Sequence, residues 1–126
     1  MKILKTYARM FVRSLDESLL LEQLVGKPAD LRFLFGSIEI AAVGDLLVLA
    51  GSPEETQQYR NGVGPLIVAD MDETEAFLVQ NGAVLTQPRV VVPTGINLYA
   101  RHPDGVEVEY VQWQPELVER TITRGN

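Results

Sequence analysis

Two segments of this sequence carry the same helix-start and helix-stop signals at the same spacing. In each segment a capping residue, Ser14 or Asp70, stands three positions before a glutamate, which is the pattern of a capping box. An apolar run follows each box and ends at a glycine, Gly26 or Gly82, as is typical of a helix terminus. Both landmarks recur at an offset of 56 residues, from Ser14 to Asp70 and from Gly26 to Gly82. The sequence therefore predicts two copies of one structural unit, as an internal duplication produces.

Strand-sized segments surround both predicted helices in the same order, one before the helix and three after it. The predicted strands of the first copy are 7–12, 31–35, 38–43 and 46–50, and those of the second copy are 65–69, 84–92, 96–102 and 106–113. A hairpin turn at Pro103-Asp104-Gly105 separates the last two strands, and Gly105 supplies the positive φ that such a turn requires.

This order predicts an α+β protein with a single domain over residues 1–126, built from two βαβββ modules. The expected parts are a first module at 6–50, a polar linker at 51–62, a second module at 63–113 and a tail at 114–126. Within the tail we expect a short helix around residues 116–120.

The composition argues against several classes of function. The net charge of −6, from 17 acidic against 11 basic residues, argues against a nucleic-acid binder. The absence of cysteine excludes disulfides and thiolate metal sites, and the single histidine, His102, excludes a two-histidine metal site within one chain. Lys5 and Arg9 interrupt the first apolar run before a signal-peptide core could form, and the longest apolar runs are only strand-sized. We therefore expect a cytoplasmic protein with no membrane partner.

The run His102-Pro103-Asp104-Gly105, followed by Glu109-Tyr110-Val111, resembles the turn and last strand of the vicinal oxygen chelate superfamily. This superfamily includes glyoxalase I, extradiol dioxygenases, and fosfomycin and bleomycin resistance proteins, and the resemblance extends over residues 7–113. It implies a glyoxalase-like fold in which two curved sheets form an open barrel with the helices outside. It also implies a small-molecule ligand between the concave faces, a homodimer, and a substrate-contacting role for Tyr99, ten residues before Glu109.

The resemblance also marks four positions at which metal-dependent members of the superfamily hold their ion. In this sequence they fall on Tyr7, Val63, Val48 or Leu49, and Glu109. Only Glu109 is a competent ligand, whereas catalytic metal sites normally have three protein ligands or more. We therefore expect neither a metal ion nor another cofactor.

Strand alternation, with Tyr7 taken at a ligand position, selects the side chains that would line the concave faces. The candidate ligand-binding residues are Tyr7, Arg9, Phe11, Asn97, Tyr99, Glu109 and Trp113. Arg9 either anchors an anionic group of a ligand or pairs with Glu109 as a salt bridge. Trp113 is either a core or dimer-contact residue or a stacking wall for a flat ligand. Phe33 and Phe35 are further candidates, and the sequence leaves their register open.

Three functions fit these residues. The first is a metal-independent binding protein, similar to bleomycin resistance proteins, that holds a small organic molecule such as an aromatic antibiotic. The second is an isomerase or lyase in which Glu109 acts as general base and Tyr99 or Arg9 stabilises developing negative charge. The third is an accessory module whose cavity is filled by its own side chains. In a Glu109→Gln variant, a binder would keep its ligand-dependent thermal stabilisation, whereas an enzyme would lose turnover and keep its ligand affinity.

Overall fold

A computed structural model describes residues 1–124 and divides the chain into two compact units. The first unit is Tyr7–Asn61, and the second unit comprises Met1–Thr6 and Gly62–Asn126. The last two residues of the expected tail, 125–126, lie outside the described residues.

The described residues form nine strands and four α-helices, numbered here in chain order. They are β1 (Ile3–Thr6), β2 (Ala8–Val12), α1 (Ser18–Val25), β3 (Leu31–Phe35), β4 (Ile38–Val43), β5 (Leu46–Ala50), α2 (Pro53–Thr56), β6 (Val63–Val68), α3 (Met71–Gln80), β7 (Val84–Val92), β8 (Gly95–Arg101), β9 (Glu107–Trp113) and α4 (Pro115–Val118). Short 3-10 turns lie at Leu15–Glu17 and Gln57–Tyr59, and a π-helical turn lies at Glu119–Thr123.

Each unit contains one mixed sheet, and the four strands of each βαβββ module are connected in the same way. The second sheet has β1 as an additional edge strand. The first sheet has the order β2-β5-β4-β3, and the second has β1-β6-β9-β8-β7. In each sheet the strand before the helix is parallel to the last strand of the module, and the other pairs are antiparallel. The predicted α+β fold of two βαβββ modules is confirmed, and β3, β4, β5 and β7 have the predicted bounds.

A helix covers one face of each sheet and forms the core there. In the first unit the core residues are Leu15, Leu21, Ala41, Val43, Val48 and Ala50. In the second unit they are Val68, Met71, Leu78, Leu98, Ala100, Val108 and Tyr110. Because side chains alternate along a strand, the residues between these positions lie on the opposite face of each sheet, which carries the candidate site residues.

The helices end near the predicted glycines, since Gly26 caps α1 and α3 ends at Gln80, two residues before Gly82. Neither predicted capping box is completed, because Ser14 binds the amide of Asp16 rather than that of Glu17, and Asp70 forms only its own half of the box. Ser14 accepts a hydrogen bond from the Asp16 amide at 3.2 Å and so caps the 3-10 turn that precedes α1. Asp70 accepts from the Glu73 amide at 3.1 Å and caps α3, while the Glu73 carboxylate pairs with the terminal amino group of Met1.

The predicted first strand, 7–12, is divided in the structure. Residues 3–6 form β1, which pairs with β6 of the second unit, whereas Ala8–Val12 form β2, which pairs with β5 of the first unit. Tyr7 lies between the two strands. Alternation along the chain indicates extended backbone, but it does not reveal which strand each half pairs with, and the division was therefore not predicted.

The segment predicted as a polar linker contains α2 and a 3-10 turn. A complete capping box starts α2: Ser52 Oγ accepts from the Glu55 amide at 3.2 Å, and the Glu55 carboxylate accepts from the Ser52 amide at 2.8 Å. Pro53 occupies the first helical position, where its missing N–H is not needed.

In the tail, the predicted short helix is present as α4 and the π-helical turn. None of the helices within residues 1–124 has the length and apolar character needed to cross a membrane.

Candidate functional site

Three polar side chains are linked by hydrogen bonds across three neighbouring strands of the second unit and are here called the polar chain: Gln87, Asn97 and Glu109. Gln87 on β7 donates from Nε2 to Asn97 Oδ1 on β8 at 3.0 Å, and Asn97 Nδ2 donates to Glu109 Oε2 on β9 at 2.9 Å. Asn97 is only 5% exposed, whereas Gln87 and Glu109 are half-buried. The buried amide therefore has both of its ends hydrogen-bonded, which avoids the penalty of an unsatisfied polar group.

The orientation of both amides follows from Glu109. An ionised carboxylate only accepts hydrogen bonds, so the group that Asn97 turns toward Glu109 must be its NH2 group. The Asn97 oxygen then points to Gln87, which must offer its own NH2 group. The carboxylate is thus held by a chain with one direction of donation, from β7 to β9.

Apolar and aromatic side chains lie beside the polar chain on the same face of the sheet. In the β8–β9 register Tyr99 lies opposite Glu109, Asn97 lies opposite Val111, and Gly95 lies opposite Trp113. Val111 and Trp113 are 4% and 5% exposed, and Tyr99 is half-buried. Glu109 and Tyr99 are therefore the members of this face that a ligand could reach, whereas Val111 and Trp113 are buried and serve as packing residues.

The predicted turn between β8 and β9 sets this register. Gly105 has φ 95°, its amide donates to the His102 carbonyl at 2.9 Å, and the His102 amide donates to the Val106 carbonyl at 2.8 Å. A tight turn of fixed length determines which residues of the two strands face each other. The proline-aspartate-glycine turn therefore places Tyr99 directly opposite Glu109.

In the first unit, the predicted site residues Arg9 and Phe11 contact the segment between β5 and β6. Arg9 Nη1 donates to the Tyr59 carbonyl at 2.5 Å, and the Arg60 guanidinium lies 4.7 Å from the centroid of the Phe11 ring. The Tyr59 ring lies 6.4 Å from that of Phe35 between centroids. Tyr59 and Arg60 were not predicted, although the helix-start pattern Ser-Pro-Glu-Glu at 52–55 is a signal that could have indicated an ordered segment here.

The register of the first sheet settles the position of Phe33. One row of paired residues crosses the sheet, from Phe33 through Ile40 and Leu49 to Phe11. These residues lie opposite the face that packs on α1, because Ala41, Val48 and Ala50 belong to that core. Phe35, two residues from Phe33, shares this face.

The predicted site residues thus form two groups. Asn97, Tyr99, Glu109 and Trp113 share one sheet face of the second unit. Arg9 and Phe11 share the corresponding face in the first unit, and the hydrogen bond from Arg9 to Tyr59 shows one of its partners. Gln87, the third member of the polar chain, was not predicted, because the β7–β8 register is irregular between Leu85 and Val90.

The metal positions implied by the resemblance are also refined by the register. Leu66 pairs with Tyr110 in the second unit, and Met10 pairs with Val48 in the first. At the offset of 56 residues, Val48 therefore corresponds to Tyr110, and the counterpart of Glu109 is Leu47 rather than Val48 or Leu49. Within residues 1–124 no group of three or more histidine or acidic side chains is placed to hold a metal ion.

Tyr7 is 2% exposed and lies where the chain passes from β1 to β2. Burial raises the pKa of its phenol well above the ordinary value of 10.0, and the nearby carboxylates of Asp30 and Asp45 raise this pKa further. Burial also raises the pKa of Tyr110, whose hydroxyl lies 2.7 Å from His102 Nε2. Both phenols therefore stay protonated in the folded protein at pH values where an exposed tyrosine would ionise.

Raised phenol pKa values predict a loss of stability in alkaline solution. We expect the free energy of unfolding to fall as the pH rises above about 10, because the unfolded chain releases phenolic protons that the folded chain retains. Each such group contributes a slope of up to about 1.4 kcal/mol per pH unit. Urea unfolding at several alkaline pH values measures the slope, which should be smaller in Tyr7→Phe. An unchanged slope in that variant would show that Tyr7 does not contribute.

Two units with the connectivity βαβββ, each with one helix-covered sheet face, define this protein as an α+β protein of paired βαβββ modules. A hypothetical, uncharacterized protein from Methanosarcina mazei is 35% identical in a match that covers 90% of this chain and 95% of that chain, with a TM-score of 0.85. The chain belongs to the same family as this Methanosarcina mazei protein.

Other solved structures resemble the chain more distantly. A protein from Staphylococcus aureus is 12% identical over 90% of this chain and 100% of that chain, with a TM-score of 0.49. A glyoxylase/bleomycin resistance protein/dioxygenase domain from Frankia sp. EAN1pec is 22% identical over 86% of this chain and 95% of that chain, with a TM-score of 0.37. No protein-family model and no curated protein matches the sequence.

Proposed function

We propose that this protein is a metal-independent, glyoxalase- and bleomycin-resistance-like protein that binds a small organic molecule. The ligand would contact the sheet face of the second unit that carries Asn97, Tyr99 and Glu109. The observation that carries this proposal is the hydrogen bond of 2.9 Å from the buried Asn97 amide to the half-buried Glu109 carboxylate, with the half-buried Tyr99 directly opposite Glu109.

The energetics of this pair favour a binding role over a purely structural one. A polar network in an apolar surface contributes little net stability, since its hydrogen bonds replace hydrogen bonds to water. Such a network does fix the position of its members, and ligand sites combine an apolar lining with a few polar groups of fixed orientation. Asn97 fixes Glu109 in this manner, because the hydrogen bond from Gln87 to the Asn97 oxygen leaves the Asn97 NH2 group to donate to the Glu109 carboxylate.

The absence of a metal from the proposal follows from the chemistry of the available donors. Of the four positions implied by the superfamily, Val63 and Leu47 have no donor atom, and the phenol of Tyr7 is held protonated by its raised pKa. Glu109 alone remains, and a single carboxylate binds a divalent ion weakly.

Thermal denaturation of the full chain in a library of small organic molecules tests the proposal. A ligand at 100 times its Kd should add about 2.7 kcal/mol to the free energy of unfolding and raise the Tm by several degrees. Asn97→Leu and Tyr99→Ala should each remove most of the shift, because they alter the proposed contact surface. Glu39→Gln, at an exposed position of β4, is the control and should leave the shift unchanged. The proposal would be contradicted if no compound raised the Tm, or if both site variants showed the same ligand-induced rise in Tm as the unaltered protein.

A second candidate function is an isomerase or lyase in which Glu109 acts as general base. The position of Tyr99 opposite Glu109 favours it, because a phenol beside a carboxylate can stabilise negative charge that develops after proton removal. Once a ligand is known, its chemical conversion can be followed by NMR. Turnover that Glu109→Gln abolishes, with ligand binding retained, would establish the enzyme, and an unchanged ligand after prolonged incubation would exclude this reaction for that ligand.

A further inference from the structure

We propose that Arg60 and Phe11 form an anion subsite in the first unit, and that this subsite binds the carboxylate of a small aromatic acid. The inference goes beyond the proposed function, because all of its residues belong to Tyr7–Asn61 and none of them belongs to the polar chain of the second unit.

The first observation is the restrained position of the Arg60 guanidinium. It lies 4.7 Å from the centroid of the Phe11 ring, within the range of a cation–π contact. Its Nη2 also donates to Thr56 Oγ1 at 3.2 Å. Thr56 is fully buried, and its hydroxyl in turn donates to the Ser52 carbonyl at 3.2 Å. An exposed arginine normally samples many rotamers, whereas these two contacts hold Arg60 in one of them.

The second observation concerns charge. No carboxylate of the described residues lies within ion-pair distance of Arg60, although acidic residues outnumber basic ones by 17 to 11 in this sequence. The nearby Glu55 carboxylate accepts the Ser52 amide at 2.8 Å as part of the capping box. Of the five N–H donors of the guanidinium, Thr56 takes one, and a planar group of donors remains that matches a carboxylate.

The third observation is the aromatic surface beside the guanidinium. Phe11, Phe33 and Phe35 lie on the same face of the first sheet and are half-buried, and the Tyr59 ring lies 6.4 Å from Phe35. A ligand ring can contact such a surface while its acid group binds Arg60. Because the arginine is already ordered, little rotamer entropy is lost when the ligand binds. The combination selects an aromatic acid rather than an aromatic amine, which the guanidinium would repel.

NMR titration of the full chain with benzoate tests the subsite, with benzylamine as the probe of opposite charge. We expect saturable shifts of the Arg60 Nε–H and Phe11 ring signals with benzoate and none with benzylamine. Arg60→Gln should weaken benzoate binding about 10- to 100-fold, the range for one charge-assisted hydrogen-bonded contact. Arg13→Gln, which removes the same charge from an exposed position of the same unit, should change the affinity less than about twofold.

Each other outcome overturns the inference. Absence of benzoate binding, equal binding of benzylamine, or an equal loss of affinity in the two variants would show that Arg60 is not a specific anion site. Displacement of benzoate by sulfate at equal concentration would show an adventitious ion only. A lower Tm in Arg60→Gln without benzoate binding to the unaltered protein would assign Arg60 a packing role. Because Asn97→Leu alters the other unit, its effect on library ligands tests the proposed function separately.

Discussion

Replacing Gly95 by alanine is expected to lower the free energy of unfolding by about 3 kcal/mol or more, one of the two largest effects that we expect from a single substitution in this protein. Gly95 begins β8 with φ 154°, and a Cβ atom there would overlap the carbonyl oxygen of Gln112 on β9. That oxygen belongs to the backbone of a central strand, so it cannot move without disturbing the pairing of Gly95 with Trp113.

Gly105→Ala separates the two causes of this loss. Gly105 also has a positive φ, 95°, but a Cβ atom there would meet no other atom within 4 Å. Gly105→Ala should therefore lower the free energy of unfolding by only about 1–2 kcal/mol, the penalty for the left-handed conformation. Urea unfolding followed by far-ultraviolet circular dichroism measures both variants, and equal losses would show that the close approach to Gln112 is unimportant.

Leu98→Ala is expected to destabilise the protein by about 2–5 kcal/mol. Leu98 is fully buried in the core beneath α3, and truncation would leave a cavity among Met71, Leu78 and Tyr110. Val91→Ala is the control, because Val91 is 84% exposed and its truncation should change the free energy of unfolding by less than about 0.5 kcal/mol. Chemical denaturation of both variants gives the comparison, and a loss below 1 kcal/mol in Leu98→Ala would mean that the core closes around the missing atoms.

Leu98 and Asn97 are neighbours in β8 with opposite roles. Leu98 points to the core, and Asn97 belongs to the polar chain on the other face. We therefore expect Leu98→Ala to act on stability and leave ligand-dependent stabilisation in place, whereas Asn97→Leu should act mainly on ligand binding.

The arrangement of strands and helices could be predicted because local signals agreed with each other. Alternating apolar residues indicated the strands, Asp70 marked the start of α3, and Ser14 marked the 3-10 turn that leads into α1. The turn ending at Gly105 joined β8 to β9. That turn also explains why Asn97, Tyr99 and Glu109 could be placed on one face, since it fixes the register of two adjacent strands.

The residues that could not be predicted depend on contacts far apart in the sequence. Gln87 reaches Asn97 across a β7–β8 register that shifts on either side of Gln87. Tyr59 and Arg60 follow α2 in a segment without strand or helix periodicity, and they meet the first sheet only in the folded unit. The expected homodimer and the cytoplasmic location depend on partners and targeting, and both stay predictions.

The pairing of β1 with β6 has a consequence for the order in which the protein can fold during synthesis. Ile3 and its partner Val68 are 65 positions apart (68 − 3), and the whole first unit is made between them. At a translation rate of about 5–20 residues per second, β1 is synthesised roughly 3–13 s before its partner β6 is available. The first unit can form its own sheet during this interval, whereas the second must recruit a strand that was made earlier. Sequence changes that slow translation between the two strands should therefore lengthen the exposure of β1 to chaperones and proteases.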